Sequence, residues 1–438
     1  MGVSLNNTAI AVKEHDFKSA MRESIPNVDY ATHGIHSYTA KLIPHIARHY
    51  IGLYTKRDEL VLDPFVGSGT TLLEANLLGR NAIGVDINPL AKLISEVKTT
   101  PIDIIMLECA VEHVVKGLAE TKPVDHVNFP NIDYWFGEKA QKDLARIKST
   151  IEALRVDLEP RIYNFLLVCF SSIIRRSSYA DPRIAKTYKS KRMVRKIEDN
   201  WYPRPMELFK YALDRNCGRM KNFCKMVNAN HSYARVFHGD AREVSSLLQR
   251  NGIGKADFII TSPPYINAQD YFRSYKLELY WLGLCTPEQL RLLRQKSIGT
   301  ESILGFKGDS ELEDQVEILG TVCQKISKIN PTKSSIVCKY FSNMRLAIEE
   351  FNKVLREDGH LCMVTGSNRI CGVLVPTYEI IVQMAEARGL KLVELAKDKI
   401  RNRRLPPVRN HKAGVIQEEW ITVFQKGTNE CTDSSCRN

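Results

Sequence analysis

The chain has 438 residues, 44% of them hydrophobic and 26% charged, a composition expected of a soluble globular protein and not of a disordered or membrane one, and a length that predicts two lobes. No uninterrupted apolar run is long enough to cross a bilayer, and the opening MGVSLNNTAIAVKEHDF lacks the basic start and apolar middle of an export signal, so no membrane and a cytoplasmic location are expected. A formal charge of +12 favours a polyanionic partner, and 11 scattered cysteines without C-x-x-C spacing read as reduced, mostly buried thiols, with no metal.

In chain order, Asp58 to Asp63 reads as a short apolar strand. The turn Pro64-Phe65-Val66-Gly67-Ser68-Gly69 follows, then helix formers from Thr70 to Ala75, then a strand Ala82 to Val85 ending at Asp86. Strand, glycine turn, helix, strand and acid make a βαβ nucleotide-binding unit. Beyond residue 100 the pattern turns to amphipathic helix, as at Leu144, Ile147, Ile151 and Leu154. Strands return at Ala234 to Phe237, leading to Gly239-Asp240, and at Ala256 to Ile260, leading to Thr261-Ser262-Pro263-Pro264-Tyr265. A helix over Met344 to Leu355, a turn at Asp358-Gly359, a strand Leu361 to Val364 and a helix near Tyr378 to Ala387 come next. Strands at Leu390 to Leu395 and Glu419 to Gln425 then flank a basic loop, Arg401 to Arg409. The pattern is that of an α/β domain interrupted by a helical insert.

The glycine turn lets backbone N–H groups and a helix N-terminus approach a polar ligand. Thr70 stands where a P-loop needs lysine, and Leu72 where a dinucleotide fingerprint needs a small residue, so S-adenosyl-L-methionine remains as the ligand. Asp86 is placed to accept from ribose hydroxyls, and Asp240 from an adenine amine or, equally, from its own turn. In the second motif, two prolines fix an extended turn with outward carbonyls. Acceptors at the Ser262 hydroxyl and the Pro263 carbonyl would draw both hydrogens of an exocyclic amine and favour a nitrogen able to attack a methyl group. Tyr265 offers an aromatic face, with Asn267, Asp270, Tyr271 and Arg273 just beyond.

Asp63-Pro64-Phe65-Val66-Gly67-Ser68-Gly69-Thr70-Thr71 and Ser262-Pro263-Pro264-Tyr265 together resemble motifs I and IV of the amino-DNA methyltransferases. His36-Ser37-Tyr38-Thr39-Ala40-Lys41, with Pro44 following, is similar to motif X, which in that family packs beside the methionine end of the cofactor. The resemblance spans residues 33–100 and 233–425. It implies a Rossmann-like, doubly wound, mostly parallel seven-stranded sheet with an inserted helical domain. Residues 1–100 and 233–438 would form the catalytic S-adenosylmethionine-binding domain, and 101–232 a helical, basic domain that recognises the target. In the family, serine at position 262 accompanies cytosine N4, whereas aspartate or asparagine accompanies adenine N6. The expected enzyme is therefore a cytosine-N4 DNA methyltransferase that flips its base from double-stranded DNA. It would work in the prokaryotic cytosol or nucleoid beside a cognate restriction endonuclease. Adenine-N6 methylation, RNA base methylation and a non-catalytic DNA-binding regulator are the alternatives, the last disfavoured by the intact Ser262-Pro263-Pro264-Tyr265. No cysteine follows a proline, which argues against a covalent cytosine-C5 route.

Within the insert, Arg175, Arg176, Arg183, Lys186, Lys189, Lys191, Arg192, Arg195 and Lys196 crowd a stretch with Asp181 its only acid. Such a segment suits phosphates and base edges. Arg401, Arg403 and Arg404 form a second basic loop, which the resemblance places near the substrate base.

Overall fold

A computed structural model describes residues 3–5, 8–21, 25, 27–124, 127–227, 232–266, 270–399 and 418–428. Its main sheet is built from β1 (Val12–His15), β2 (Leu60–Asp63), β3 (Asn81–Asp86), β4 (Ala234–His238), β5 (Ala256–Thr261), β6 (Leu355–Thr365), β7 (Leu390–Lys399) and β8 (Glu418–Lys426). The spatial order is β1-β7-β8-β6-β5-β2-β3-β4, and β8 alone runs antiparallel to its neighbours. Central strands covered on both faces read as continuous apolar runs. Val61, Leu62, Ile83, Val85, Phe258, Ile259 and Ile260 are accordingly buried. From β2 the chain steps one way to β3 and β4, whereas β5 and β6 lie on the other side. That reversal opens a crevice at the carboxyl ends of β2 and β5, where such sheets bind ligands.

The expected count of seven strands is met by β2 to β8, and β1 adds an eighth at the edge. Val12-Lys13-Glu14-His15 has no apolar run to announce a strand. It is held instead by pairing with β7 and by ion pairs from Lys13 to Glu394 at 2.8 Å and from Lys397 to Glu14 at 2.7 Å. The turn expected at Asp358-Gly359 is a bulge inside β6, with Asp358 at φ 60° and a register shift opposite Ala256/Phe258. A Cβ on Gly359 would meet Asp257 O at 3.0 Å, so this close strand approach requires glycine.

Helices α1 (Pro44–Tyr54), α2 (Thr70–Leu77) and α3 (Pro89–Thr99) belong to the first half. The insert follows as α4 (Ile104–Glu120), α5 (Glu138–Ala153), α6 (Pro160–Ile174), α7 (Lys191–Glu198) and α8 (Pro205–Val227). After β5 come α9 (Pro287–Lys296), α10 (Pro331–Val354) and α11 (Thr377–Glu386). An almost unbroken apolar segment makes α6 the buried centre of the insert, with Phe165, Leu166, Phe170 and Ile173 each 1% exposed or less. Leu144, Ile147 and Ile151 on α5 join them, and the same hydrophobic cluster takes in Leu73 of α2 and Leu90, Leu93 and Ile94 of α3. The insert therefore packs directly onto the helical layer behind the glycine turn. Away from the sheet crevice, Glu313, Cys323 and Cys338 come together, a juxtaposition their sequence spacing does not announce.

Candidate active site

The crevice holds a cavity of about 330 Å³, with Asp63 to Ser68, Thr70 and Thr71 along one wall, Asp86 to Asn88 along another, and Gly239 to Ala241, Ser262 and Pro264 beyond. Gly67 and Gly69 adopt φ of 50° and 75°, where side chains are strained. A Cβ on Gly69 would lie 3.0 Å from Cα of Ser95, so the turn sits hard against α3. Ser95 reinforces it by donating to the Gly67 carbonyl at 2.8 Å.

Asp63 accepts from the Thr261 hydroxyl at 2.6 Å and from Phe65 N–H at 3.1 Å, which joins the tips of β2 and β5. Asp86 accepts from Gly67 N–H at 2.9 Å and from Asn88 N–H at 2.8 Å. Burial pushes each carboxyl up to about 6 despite these donors. The Ser68 and Thr70 hydroxyls are buried with no hydrogen-bond partner among the described residues, as groups awaiting a ligand would be. Carboxylate acceptors, free hydroxyls and the N-terminus of α2 fit a molecule with a ribose at one end and an amino-acid group at the other. S-adenosylmethionine is such a molecule, and these residues suit it.

An aromatic wall closes the side formed by residues 38–42. Tyr38 stacks on Tyr275 at 5.0 Å and on Tyr271 at 5.9 Å between centroids. Tyr38 and Lys41 line the cavity, with Lys41 bonded to Asp29 at 3.1 Å, whereas His36 and Ser37 do not. His36 is buried against the insert, bonded to Ser171 of α6 at 3.0 Å, and burial pushes its pKa down to about 4. It anchors this segment instead of facing a ligand. Beneath, the Glu74 carboxylate of α2 takes His33 at 2.7 Å and Arg48 at 3.1 Å, which fixes the same segment to the helix after the glycine turn. Asp240 reaches the cavity, but both oxygens bond the Arg242 guanidinium, at 2.9 and 2.5 Å, so an adenine amine would have to share them.

At the tip of β5, Ser262 and Pro264 line the cavity and Pro263 is buried. Tyr265 lies outside its lining, and its hydroxyl donates to Glu419 on β8 at 3.1 Å. Burial pushes the Glu419 carboxyl up to about 7, although the tyrosine donor opposes this. The sequence did not reveal Asn88 or the wall from Arg291 to Ser302. Gly299, at φ 82°, brings that wall onto the Ser262-Pro263-Pro264-Tyr265 loop, where a Cβ would lie 3.3 Å from the Tyr265 carbonyl. A single glycine in an otherwise ordinary polar stretch was the only signal of it.

The basic run of the insert divides. Arg175 donates to the carbonyls of Ile184, Ala185 (2.8 Å), Lys186 (3.0 Å) and Ser274 (3.5 Å), which makes it an internal brace unsuited to phosphate contact. Arg183 and Arg192 share the buried Asp181, at 3.0 and 3.8 Å. The Arg183 bond holds the Asp181 carboxyl well below the usual carboxylate range. Arg176, Lys191 and Arg195 are exposed and have no ion-pair partner among the described residues. Arg176 and Arg192 also border a second hollow with Lys196, Trp201, Tyr202 and Arg204. Arg401, Arg403 and Arg404, like Asn267, lie outside the described residues.

A family model described as DNA methylase matches residues 14–96. The type II methyltransferase M.MvaI of Kocuria varians is 26% identical over 420 residues, covering 91% of this chain and 90% of the relative. The type II methyltransferase M.BsoBI of Geobacillus stearothermophilus is 23% identical over 437 residues, covering 89% and 84%. Among solved structures, the rRNA methyltransferase aviRa from Streptomyces viridochromogenes aligns over 89% of this chain and 88% of its own at 9% identity, with a TM-score of 0.31.

Proposed function

We propose, for a chain that belongs to the amino-DNA methyltransferase family, that it is a type II enzyme transferring a methyl group to the N4 amine of cytosine in double-stranded DNA. Its methyl donor is S-adenosyl-L-methionine. The observation that carries this reading is one cavity in which Ser262 of the amine-binding loop faces the glycine turn and Asp86. Relatives matching about nine-tenths of the chain carry the type II methyltransferase name, which supports a restriction-modification setting with a cognate endonuclease. No helix among the described residues is long and apolar enough to cross a membrane.

When bound, the cofactor supplies an electrophilic methyl on a sulfonium. Asp86 would accept from its ribose hydroxyls, and Ser68 and Thr70 would offer their unpartnered hydroxyls to its polar groups. The target cytosine leaves the duplex to reach Ser262. Ser262 Oγ and the Pro263 carbonyl would accept the two amine hydrogens and so localise the nitrogen lone pair toward the methyl; as the N–C bond formed and the S–C bond broke, S-adenosylhomocysteine would leave and one amine proton would pass to solvent. Tyr265, steadied by Glu419, offers its ring to the base. Residues 101–232 read the DNA, with Arg176, Lys191, Arg192 and Arg195 as the exposed contacts.

Incubation with labelled cofactor and either DNA or RNA, followed by mass spectrometry of the nucleosides, tests this. N4-methylcytosine in DNA is expected. N6-methyladenine in DNA would overturn the choice of base alone, and label confined to RNA, or no transfer, would overturn the function.

A further inference from the structure

Several cations line the cavity, and other basic side chains in or near it are tied down. Arg294 bonds Asp270 at 2.6 and 2.9 Å, Lys41 bonds Asp29, and Arg242 bonds Asp240. Lys186, Arg273, Arg291 and Lys296 also line the cavity, the last three exposed to solvent, and none has a carboxylate partner among the described residues. Four unpaired cations repel one another and persist most readily where an anion binds. The cofactor does not account for them, because it brings a sulfonium and an ammonium against a single carboxylate. A cytosine ring is neutral. The anions that arrive with an extruded base are the phosphates on either side of it.

Two of these cations come from different parts of the chain and are held in register. Arg175 grips the carbonyls of Ile184, Ala185 and Lys186 together with that of Ser274, and the Thr187 hydroxyl donates to Ser274 O at 3.1 Å. The loop bearing Lys186 is thereby fastened to the short helix Tyr271–Ser274 that bears Arg273.

We propose that Lys186, Arg273, Arg291 and Lys296 form a clamp on the phosphates flanking the extruded nucleotide, with Arg175 as the positioning residue for its Lys186 arm. This rests on the reading of the chain as a DNA methyltransferase. The insert then contributes directly to the catalytic mouth as well as to sequence reading.

The test begins by mapping the base that the wild-type enzyme labels in duplex DNA. Binding is then measured to duplexes of that site with neutral methylphosphonates at the flanking phosphates or at remote ones. Flanking substitution should weaken wild-type binding about tenfold and make its salt dependence shallower by about 0.9 per duplex phosphate neutralised, or about 0.7 if the strand there is single. The Lys186→Ala/Arg291→Ala enzyme should bind the unmodified duplex with a similar loss and respond little to the flanking methylphosphonates. Arg175→Ala should reduce that response in the wild-type background and add nothing when Lys186 is already alanine, an outcome that general destabilisation would not give. S-adenosylhomocysteine affinity checks folding, and the methylphosphonate series on wild-type enzyme needs no variant. Labelled DNA with no flanking-phosphate effect, or variants that keep the full wild-type response, would overturn the clamp alone. An enzyme that labels no DNA would overturn the function and the clamp together.

Discussion

Asp86 accepts two backbone N–H groups, yet burial wins and lifts its carboxyl from 3.8 to about 6. The sign follows from linkage: a carboxyl raised on folding contributes stability that is full below its unfolded value and lost as pH rises through about 6. The proposed ribose contact would reverse this preference, because the hydroxyls would donate to the ionised form. Affinity for S-adenosylhomocysteine should therefore fall as pH drops below about 6, by roughly tenfold per unit for one proton. Calorimetry across pH 5 to 8 reads this directly. Asp63 is raised to a similar value, so Asp86→Asn serves as the control and should flatten the part of the profile that belongs to Asp86. A profile unchanged in that variant would remove Asp86 from the ribose. At the other end of the cavity, Ser262→Ala should lower kcat by about two to three orders of magnitude, the scale of a missing acceptor or donor at a reacting group, with cofactor affinity intact. Tyr265→Phe should cost less than Tyr265→Ala, since it keeps the ring and loses only the bond to Glu419. A parallel loss of cofactor binding in the serine variant would mean that Ser262 serves the pocket and not the base.

The elements that carry the site differ in how plainly the sequence announced them. β2, the glycine turn, α2 and β3 were legible because doubly covered strands give unbroken apolar runs and because Gly67 and Gly69 mark backbone that other residues strain to adopt. β5 with its Ser-Pro-Pro-Tyr loop was legible for the same reasons. β1 was not, since an edge strand held by cross-sheet ion pairs needs no apolar pattern. The wall from Arg291 to Ser302 was hidden because its place depends on a long-range approach to the loop that ends at Tyr265. The basic run shows the limit most clearly: Arg175 and Arg176 are adjacent and chemically identical, yet one braces four carbonyls and the other is exposed. On α7, Met193 is buried and Lys191, Arg192 and Arg195 face outward. Arg176→Ala/Lys191→Ala/Arg195→Ala should therefore weaken DNA binding and lower its salt slope by about 0.9 for each phosphate left without its cation, with cofactor affinity and melting temperature nearly unchanged. Arg175→Ala should also lower thermal stability, because four part-buried carbonyls lose their donor, at no more than about 1–3 kcal/mol for each left unsatisfied. Equal effects of the two sets on melting and on DNA binding would contradict this division.

For the whole molecule, the length predicted two lobes, and the packing bears on how independent they are. The helices of the insert bury Phe165, Phe170, Phe209 and Phe223 in one cluster with Leu73, Leu90, Leu93 and Ile94, which stand on the helices behind the cofactor turn. Those apolar side chains of α2 and α3 would be bared to water without the insert, at about 25 cal/mol for each Å² exposed. His36 adds a polar tie, bonded to Ser171 of α6 from within the segment that walls the cavity. Two bodies joined by a thin interface unfold in separate steps, whereas bodies sharing a hydrophobic cluster unfold together. Calorimetric unfolding is accordingly expected to give a single transition whose van't Hoff and calorimetric enthalpies agree. S-adenosylhomocysteine should shift the whole of that transition upward, by an amount set by its concentration relative to Kd. A chain in which a short linker replaces residues 101–232 should be insoluble or lose cofactor binding, since α2 and α3 lose the cover that holds the glycine turn. Two resolved transitions with only one moved by the ligand, or a soluble deletion that binds S-adenosylhomocysteine at wild-type affinity, would show that the insert is a separable reader and that the cofactor site stands without it.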